Sequence, residues 1–277
     1  MKYTFFLLIV LATKTYAQKA DSVLARVRYT YTNSIDTLKD GKQRKENMML
    51  FVGKNASLFS SYDKIRHEIS EERKFWNMIE SGAGRGKTVF VVDDSNSKWM
   101  STHTYLFFVK ENKLFTKEMI ALTGYLVEET APKIDWKINK DTMSFSGVVC
   151  QKATANFEGK NWTAWFAPSL PFQAGPWKLN SLPGLIIEAY DDQKHTYFEF
   201  AGIENAKLGD NIRDRDVTKD VNASSSTYNA IDQVIGRDVG NAFFENVIRL
   251  PIGAVKTNRQ QLDRLKEAYR KNPKGKW

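Results

Sequence analysis

Apolar and polar residues alternate along many short segments of this chain, a pattern that is typical of β-strands with one buried face. In Val23–Thr32, every second residue, starting with the first, is apolar or aromatic. Met48–Phe51 and Ala56–Tyr62 flank Gly53-Lys54-Asn55, which predicts a hairpin whose turn uses positive φ angles at the glycine and the asparagine. The later segments predicted as strands are Val89–Val92, Thr104–Lys110, Lys113–Met119, Thr123–Glu129, Ile134–Ile138, Gly147–Phe157, Lys160–Ala167, Leu185–Tyr190 and His195–Ile203.

Strands at this spacing, with short polar connectors and no helices between them, predict a mainly β (α+β) fold. We expect a curved antiparallel sheet or an open barrel, in one β domain over residues 18–210. Asp63–Ile79 departs from the strand pattern because it is highly charged and carries apolar residues at helical spacing. It predicts a helical or partly mobile insert near residues 63–80.

The C-terminal part of the chain changes character. Apolar residues between Ile231 and Phe243 repeat at helical spacing. A further helix is predicted to start with Thr257 as its N-cap and Gln260 as the capping-box partner. We therefore expect a helical C-terminal extension over residues 211–277.

The N-terminus has the three-part layout of a secretory signal peptide over residues 1–17. Lys2 gives a charged start, Tyr3–Ala12 is mostly apolar, and the small residues Thr15 and Ala17 follow. This apolar stretch is shorter than the roughly 20 residues that a helix needs to cross a bilayer. The sequence therefore predicts an exported protein in the periplasm, at the outer membrane or outside the cell, without a transmembrane segment in the mature chain.

Charge and cysteine content limit the partners and the chemistry. The net charge is +9, and the excess is spread along the chain apart from a basic end between Arg264 and Lys276. A basic exported protein can attract anionic surfaces, but no zinc spacing and no dense basic stripe indicates nucleic acid. The single cysteine, Cys150, excludes an internal disulfide. It follows Val148 and Val149, which predicts a buried structural thiol.

No local pattern indicates catalysis, and we predict no catalytic residue, no cofactor and no metal ligand. The chain lacks a Gly-x-Ser-x-Gly elbow, and no pair of acids is recognisable as a glycosidase dyad. Its histidines are His67, His103 and His195. The acids close to them are Glu68, Glu71 and Glu72 after His67, and Asp191 and Asp192 before His195. The first group is typical of a solvated helix face, and the second fits either a weak cation site or plain turn residues.

The tryptophans give a stronger signal. Trp162, Trp165 and Trp177 lie within a short stretch of the chain. Trp162 and Trp165 should point to opposite faces of a strand, because side chains alternate and the offset is three. Only one of them can then face the sheet's core. The other is either an exposed binding surface or is covered by helices and loops.

The segment after these strands is rich in proline. Pro168, Pro171 and Pro176 cannot serve a central strand, so we expect an exposed crossing loop over Pro168–Ser181. Pro183 and Gly184 have the sequence of a type II turn, with positive φ at the glycine. This turn would launch the strand Leu185–Tyr190.

These residues resemble the signature of the GLPGLI family, exported proteins of Gram-negative bacteria whose biochemical role is not established. The matching segments are SLPGLI at 181–186, GPWKLN at 175–180, Gly147 with Cys150–Ala153, Gly159–Trp165 and Pro171. Ser181 replaces the first glycine of the signature, Lys160 stands where arginine is usual, and Phe166 stands where tyrosine is usual. The resemblance implies export and β architecture, and it implies no activity.

The sequence favours a non-catalytic envelope protein that binds an apolar ligand, a peptide or a protein partner. Its aromatic density without catalytic residues motivates this hypothesis. The candidate binding residues are Trp162, Trp165, Trp177, Pro176 and Lys160. The alternatives are a hydrolase with scattered acids and a metal-binding protein that uses His195 with Asp191 or Asp192.

Overall fold

The computed structural model describes residues 18–37, 43–67, 101–121, 123–206, 242 and 246–273. Three predicted segments lie largely or wholly outside these residues: the signal peptide, the strand Val89–Val92 and the helical segment Ile231–Phe243. Most of the predicted insert also lies outside them, although residues 62–67 at its start are helical.

The strands before the gap at 68–100 are β1 (Asp21–Ser22), β2 (Ala25–Thr37), β3 (Gln43–Val52) and β4 (Ala56–Ser61). Those after it are β5 (Thr104–Phe108), β6 (Lys113–Ile120), β7 (Thr123–Thr130), β8 (Lys137–Phe145), β9 (Val148–Phe157), β10 (Lys160–Ala167), β11 (Leu185–Asp191), β12 (Thr196–Asn205), β13 (Val247–Ile248) and β14 (Val255–Thr257). A C-terminal helix follows at Arg259–Lys271. The mainly β fold predicted from the sequence is confirmed.

One large sheet dominates the fold. Its 12 strands lie in the order β14-β7-β6-β5-β4-β3-β2-β12-β11-β10-β9-β8. Neighbouring strands are antiparallel, except that β14 runs parallel to β7. Strands β1 and β13 form a separate antiparallel pair. Within the described residues the large sheet is open, with β14 and β8 at its edges, which agrees with a curved antiparallel sheet.

The central strands are buried on both faces. Alternating residues of β3 serve two cores: Met48 and Leu50 pack in one, while Met49 and Phe51 pack in the other. All six residues of β4 are buried. Because side chains alternate along a strand, burial of every residue means that both faces of the sheet are covered at this point.

The sheet is strongly curved. Strands β5 and β10 are separated by five strands, which would place them about 29 Å apart in a flat sheet. Yet Tyr105 on β5 and Trp162 on β10 line the same pocket. The ring centroids of Phe59 on β4 and Phe198 on β12 are 5.8 Å apart, although two strands lie between them. Curvature therefore brings both halves of the sheet around one concave face.

A row of alanines lets the segment between β10 and β11 lie against this face. Ala164 pairs with Ala153 on β9 and with Ala189 on β11, and all three are fully buried. Their small side chains leave room for a covering layer. Leu179 and Leu182 from the crossing segment belong to the same core cluster as the alanines.

The exposed crossing loop predicted over Pro168–Ser181 is therefore wrong for its second half. Pro168 and Pro171 are exposed, whereas Pro176 and Asn180 are buried. Prolines do exclude this segment from the sheet, as expected. Exclusion from a sheet does not mean exposure to solvent, because the segment packs onto the concave face.

The type II turn predicted at Pro183 and Gly184 is also wrong. Gly184 does not have a positive φ, while Trp177 and Ser181 have φ angles of 57° and 71°. Glycine is needed at 184 for a different reason. A Cβ atom there would lie 2.3 Å from the carbonyl oxygen of Ala167, a contact that real structures do not tolerate.

The predicted hairpin between β3 and β4 is present, but its turn differs from the prediction. Neither Gly53 nor Asn55 has a positive φ. The turn is organised by Asp21, whose Oδ2 accepts hydrogen bonds from the backbone N–H of Asn55 at 2.5 Å and of Ala56 at 2.9 Å. A Cβ at position 53 would lie 2.5 Å from the same oxygen, so Gly53 permits the close approach of Asp21.

Two further boundaries differ from the sequence prediction. The strand expected at Ile134–Ile138 begins only at Lys137. The C-terminal helix is capped by Asn258, whose Oδ1 accepts from the backbone N–H of Gln261 at 2.9 Å, and not by Thr257. Leu262 anchors this helix on β6 and β7. None of the described helices is long and apolar enough to cross a membrane.

Candidate functional site

The concave face of the sheet contains an open pocket with a volume of about 390 Å³. Its apolar lining consists of Tyr31, Met48, Phe59, Tyr105, Trp162, Trp177 and Phe198. Its polar lining consists of Asn33, Ser101, His103, Glu158, Lys160 and Thr196. These residues come from six strands, the turn before β10, the chain before β5 and the crossing segment. Pockets of this size, with apolar walls and a few polar groups, are typical of small-molecule sites.

Four aromatic rings form a continuous row along the wall of this pocket. Trp177 and Trp162 have ring centroids 5.6 Å apart with planes inclined by 32°. Trp162 and Phe198 are 6.4 Å apart at 15°, and Phe198 and Tyr31 are 5.0 Å apart at 21°. Aromatic pairs at these separations attract one another beyond the burial of their area. The wall is therefore held in place by its own contacts.

Trp177 closes one end of the pocket. Its indole N–H is close enough to the hydroxyl of Tyr105 to affect the pKa of that group, and its ring packs 5.6 Å from Phe157. Burial raises the pKa of Tyr105 to about 12, even though the nearby indole N–H of Trp177 acts in the opposite direction. Phe59, Tyr105 and Trp177 also line a second, smaller cavity. The Trp177–Tyr105 pair thus stands between two cavities of the concave face.

Lys160 lies at the polar part of the pocket. Its Nζ donates to Asp191 Oδ2 at 2.8 Å and to Thr196 Oγ1 at 2.6 Å. It also lies 5.9 Å from the ring centroid of Trp162, within cation–π range. The Lys160 side chain is 42% exposed, while that of Asp191 is 3% exposed. The cation therefore faces the pocket and its counter-ion lies behind it.

Asp191 is a structural carboxylate. Oδ1 accepts from the backbone N–H of His195 at 2.7 Å, and Oδ2 accepts from that of Thr196 at 3.0 Å. Burial works to raise the pKa of this carboxyl, but the bonds from Lys160 and the backbone outweigh burial and lower it. His195 uses its backbone in this turn, so the contacts support plain turn residues. Among the described residues, no group of three or more His, Cys, Asp or Glu side chains is suited to a metal ion.

The other ionisable side chains of the pocket are also paired. His103 Nε2 lies 3.1 Å from Glu118 Oε1, and Glu158 Oε1 accepts from Lys178 at 2.8 Å. Glu118 additionally binds two cations of the C-terminal helix.

The structure brings together three of the five candidate binding residues, Trp162, Trp177 and Lys160. Pro176, within the crossing segment, is buried and does not line the pocket. Trp165 is 6% exposed and packs 6.1 Å from Phe145. The sequence left open whether the second tryptophan of β10 is exposed or covered. It is covered, because both Trp162 and Trp165 are buried. Cys150 is buried as predicted, and burial raises the pKa of its thiol to about 11.

Sequence reasoning found Trp162 and Trp177 but missed the other aromatic residues that line the pocket. Tyr31, Phe59, Tyr105 and Phe198 lie on four different strands, far apart in the chain. Strand alternation indicates which residues share a face of one strand. It does not indicate which strands a curved sheet brings together.

Comparisons with known proteins bear on the fold alone. No family model matches the chain, and no curated protein matches it. The solved structure of PNGF-II in space group P21 is similar, with 12% sequence identity and a TM-score of 0.50 over 89% of this chain and 34% of that chain. PNGF-II in space group C2 gives 12% identity and a TM-score of 0.49 over 87% and 32%. The chain thus spans about one third of the length of these structures. The resemblance to the GLPGLI family stays a prediction that rests on the motif residues.

Proposed function

We propose that this chain is an envelope protein that binds a small, mainly apolar ligand in the concave pocket without catalysing a reaction on it. The row of four aromatic rings along an open pocket carries this proposal. Tyr31, Tyr105 and Trp177 stay partly exposed at the pocket, and a ligand that covers them would remove apolar surface from water, which is favourable. The non-catalytic part of the proposal rests on the sequence, which contains no recognisable catalytic motif.

The envelope location is part of the proposal. It is supported by the charged start, the apolar run and the small residues of positions 1–17. Expression of the full chain in a Gram-negative host, followed by fractionation and N-terminal sequencing, tests this part. We expect a periplasmic form that begins at Gln18. A cytoplasmic protein that keeps Met1 contradicts export and leaves the pocket proposal unaffected.

Titration with the neutral fluorescent probe N-phenyl-1-naphthylamine tests binding. Ser101 lines the pocket outside any strand, so Ser101→Trp places a large ring in the cavity without removing a core contact. We expect this variant to weaken probe binding by about tenfold or more, since it fills the volume that the probe needs. Ser144→Trp, at an exposed site of β8, is the matched control and should leave binding unchanged.

Two results would overturn the proposal. One is a folded wild-type protein that does not bind the probe at all. The other is equal binding by Ser101→Trp and Ser144→Trp, because the probe would then sit elsewhere. Native mass spectrometry of the purified protein adds an independent measurement, in which a co-purifying small molecule lost in Ser101→Trp supports the pocket.

A further inference from the structure

We infer that the ligand carries an anionic group at one end of its apolar body, and that Lys160 binds this group. The inference rests on the proposed function, because it assigns the chemical class of the ligand in the same pocket. It depends on the charged groups at the polar part of the pocket and on which of these groups face the cavity.

Lys160 presents an unused donor to the pocket. An ammonium group has three N–H donors. Two of them bond Asp191 Oδ2 and Thr196 Oγ1. Within the described part of the chain, the third N–H donor of Lys160 makes no hydrogen bond, and its half-exposed side chain lines the cavity.

Thr196 provides a second donor beside it. Its hydroxyl oxygen accepts from Lys160 at 2.6 Å, so its own hydrogen is directed elsewhere. Both residues line the pocket, and Thr196 is paired across the sheet with Asn33, which lines it as well. An ammonium and a hydroxyl side by side suit an anionic oxygen, because charge-assisted hydrogen bonds are the stronger ones.

The nearby carboxylates do not cancel the attraction of Lys160 and Thr196 for an anionic group. Asp191 is nearly fully buried behind Lys160, and two backbone N–H groups neutralise part of its charge. Glu158 also lines the pocket, but its Oε1 is held by Lys178 at 2.8 Å. Trp162 adds a negative ring face under Lys160, which helps to fix the ammonium without exposing an anion to the ligand.

Calorimetric titration of the full chain with octanoate and with 1-octanol at low ionic strength tests the inference. The two probes share an apolar body and differ in the charge of the head group. We expect octanoate to bind about tenfold more tightly than 1-octanol, which is the effect of one charge-assisted hydrogen bond. The difference in affinity between octanoate and 1-octanol should shrink at high salt, because Lys160 is partly exposed to solvent.

Variants then locate the effect. Lys160→Gln keeps a donor for Asp191 but removes the charge, so it should abolish the preference for octanoate and change the affinity for 1-octanol less than twofold. Lys160→Arg should retain the preference. Lys152→Gln is the matched control, because Lys152 pairs with Asp141 and does not line the pocket.

The outcomes separate the inference from the proposed function. Equal affinity of the wild-type protein for octanoate and 1-octanol overturns the inference and leaves the binding proposal standing. A preference for octanoate that survives in Lys160→Gln overturns the assignment to Lys160. Failure of both probes and of N-phenyl-1-naphthylamine overturns the proposed function itself. Should Lys160→Gln not fold, tighter wild-type binding of octylamine, a cation, than of octanoate contradicts the inference without a variant.

Discussion

Ser181 shows how one backbone angle decides a residue preference. Its φ of 71° is in the left-handed region, where a side chain costs about 1–2 kcal/mol. Glycine avoids this cost but loses about 0.5–1 kcal/mol through its freedom in the unfolded chain. We expect Ser181→Gly to raise the free energy of unfolding by about 0.5 kcal/mol, measured by urea denaturation.

Ser169→Gly is the control for this prediction. Ser169 is also exposed in the segment before β11, but it does not have a positive φ. Glycine there adds freedom to the unfolded chain and relieves no strain, so we expect a loss of stability. A loss in both variants would show that the angle at Ser181 carries no strain.

Gly184 shows why a residue type alone does not define its role. Sequence reasoning assigned this glycine to a positive φ, since turns commonly need one there. The structure instead requires the absence of a Cβ, which would meet the backbone of Ala167 at 2.3 Å. The left-handed conformation lies three residues earlier, at Ser181, where the sequence contains no glycine. A positive φ and a close backbone contact both favour glycine, and only the structure distinguishes the two requirements.

At the scale of elements, a buried carboxylate ties the C-terminal helix to the sheet. Glu118 on β6 is 2% exposed and bonds Arg259 at 2.5 Å, with Lys266 on its other oxygen. His103 lies 3.1 Å away. Burial by itself raises the pKa of Glu118, but the bonds from His103, Lys266 and Arg259 outweigh it and hold the pKa at about 2, below the ordinary 4.5.

This lowered pKa predicts an acid-sensitive helix. A carboxyl with a lower pKa in the folded state stabilises the fold above its unfolded pKa, and the contribution is lost as the pH falls from 4.5 toward about 2. Glu118→Gln should therefore reduce the free energy of unfolding by about 3 kcal/mol at neutral pH. The difference from wild type should largely vanish near pH 2, as measured by urea denaturation across this range.

Glu267→Gln provides the comparison within the same helix. Glu267 pairs with Lys271 but is exposed, so its ion pair is screened by water and should contribute little at any pH. If Glu118→Gln destabilises the protein equally at neutral and acid pH, the loss comes from packing and not from the charge of Glu118.

Element prediction succeeded where burial imposes a pattern and failed where it does not. Strand β10 was predicted from Lys160 to Ala167 and has those bounds. Most of β8 (Lys137–Phe145) was missed, because nearly all its residues are exposed and no alternation marks it. The start of the C-terminal helix was placed one residue early, since Thr257 and Asn258 are both residue types that cap helices.

At the scale of the whole molecule, the candidate site is a product of curvature. Alternation predicts the faces of single strands, and the close spacing of Trp162, Trp165 and Trp177 marks the segment around β10. The rest of the aromatic lining comes from β2, β4, β5 and β12, which meet β10 only because the sheet folds around its concave face. Curvature depends on how both faces of the sheet pack, and this information is spread over the entire chain.

The side chains of Trp177 and Tyr105 meet across the concave face of this curved sheet. Trp177 follows β10 and Tyr105 lies on β5, so their contact joins strands that are far apart in the sheet order. Tyr105→Phe removes the hydroxyl beside the half-buried indole N–H of Trp177, which should cost up to about 1 kcal/mol of stability and loosen the Trp177 ring. We expect acrylamide to quench the tryptophan fluorescence of this variant more strongly than that of the wild-type protein.

Tyr125→Phe, at a half-buried site beside the C-terminal helix, is the control and should leave the quenching unchanged. Because the chain has 7 tryptophans, the effect of Tyr105→Phe must also disappear in a Trp177→Phe background. An effect that persists there contradicts a link between Tyr105 and Trp177.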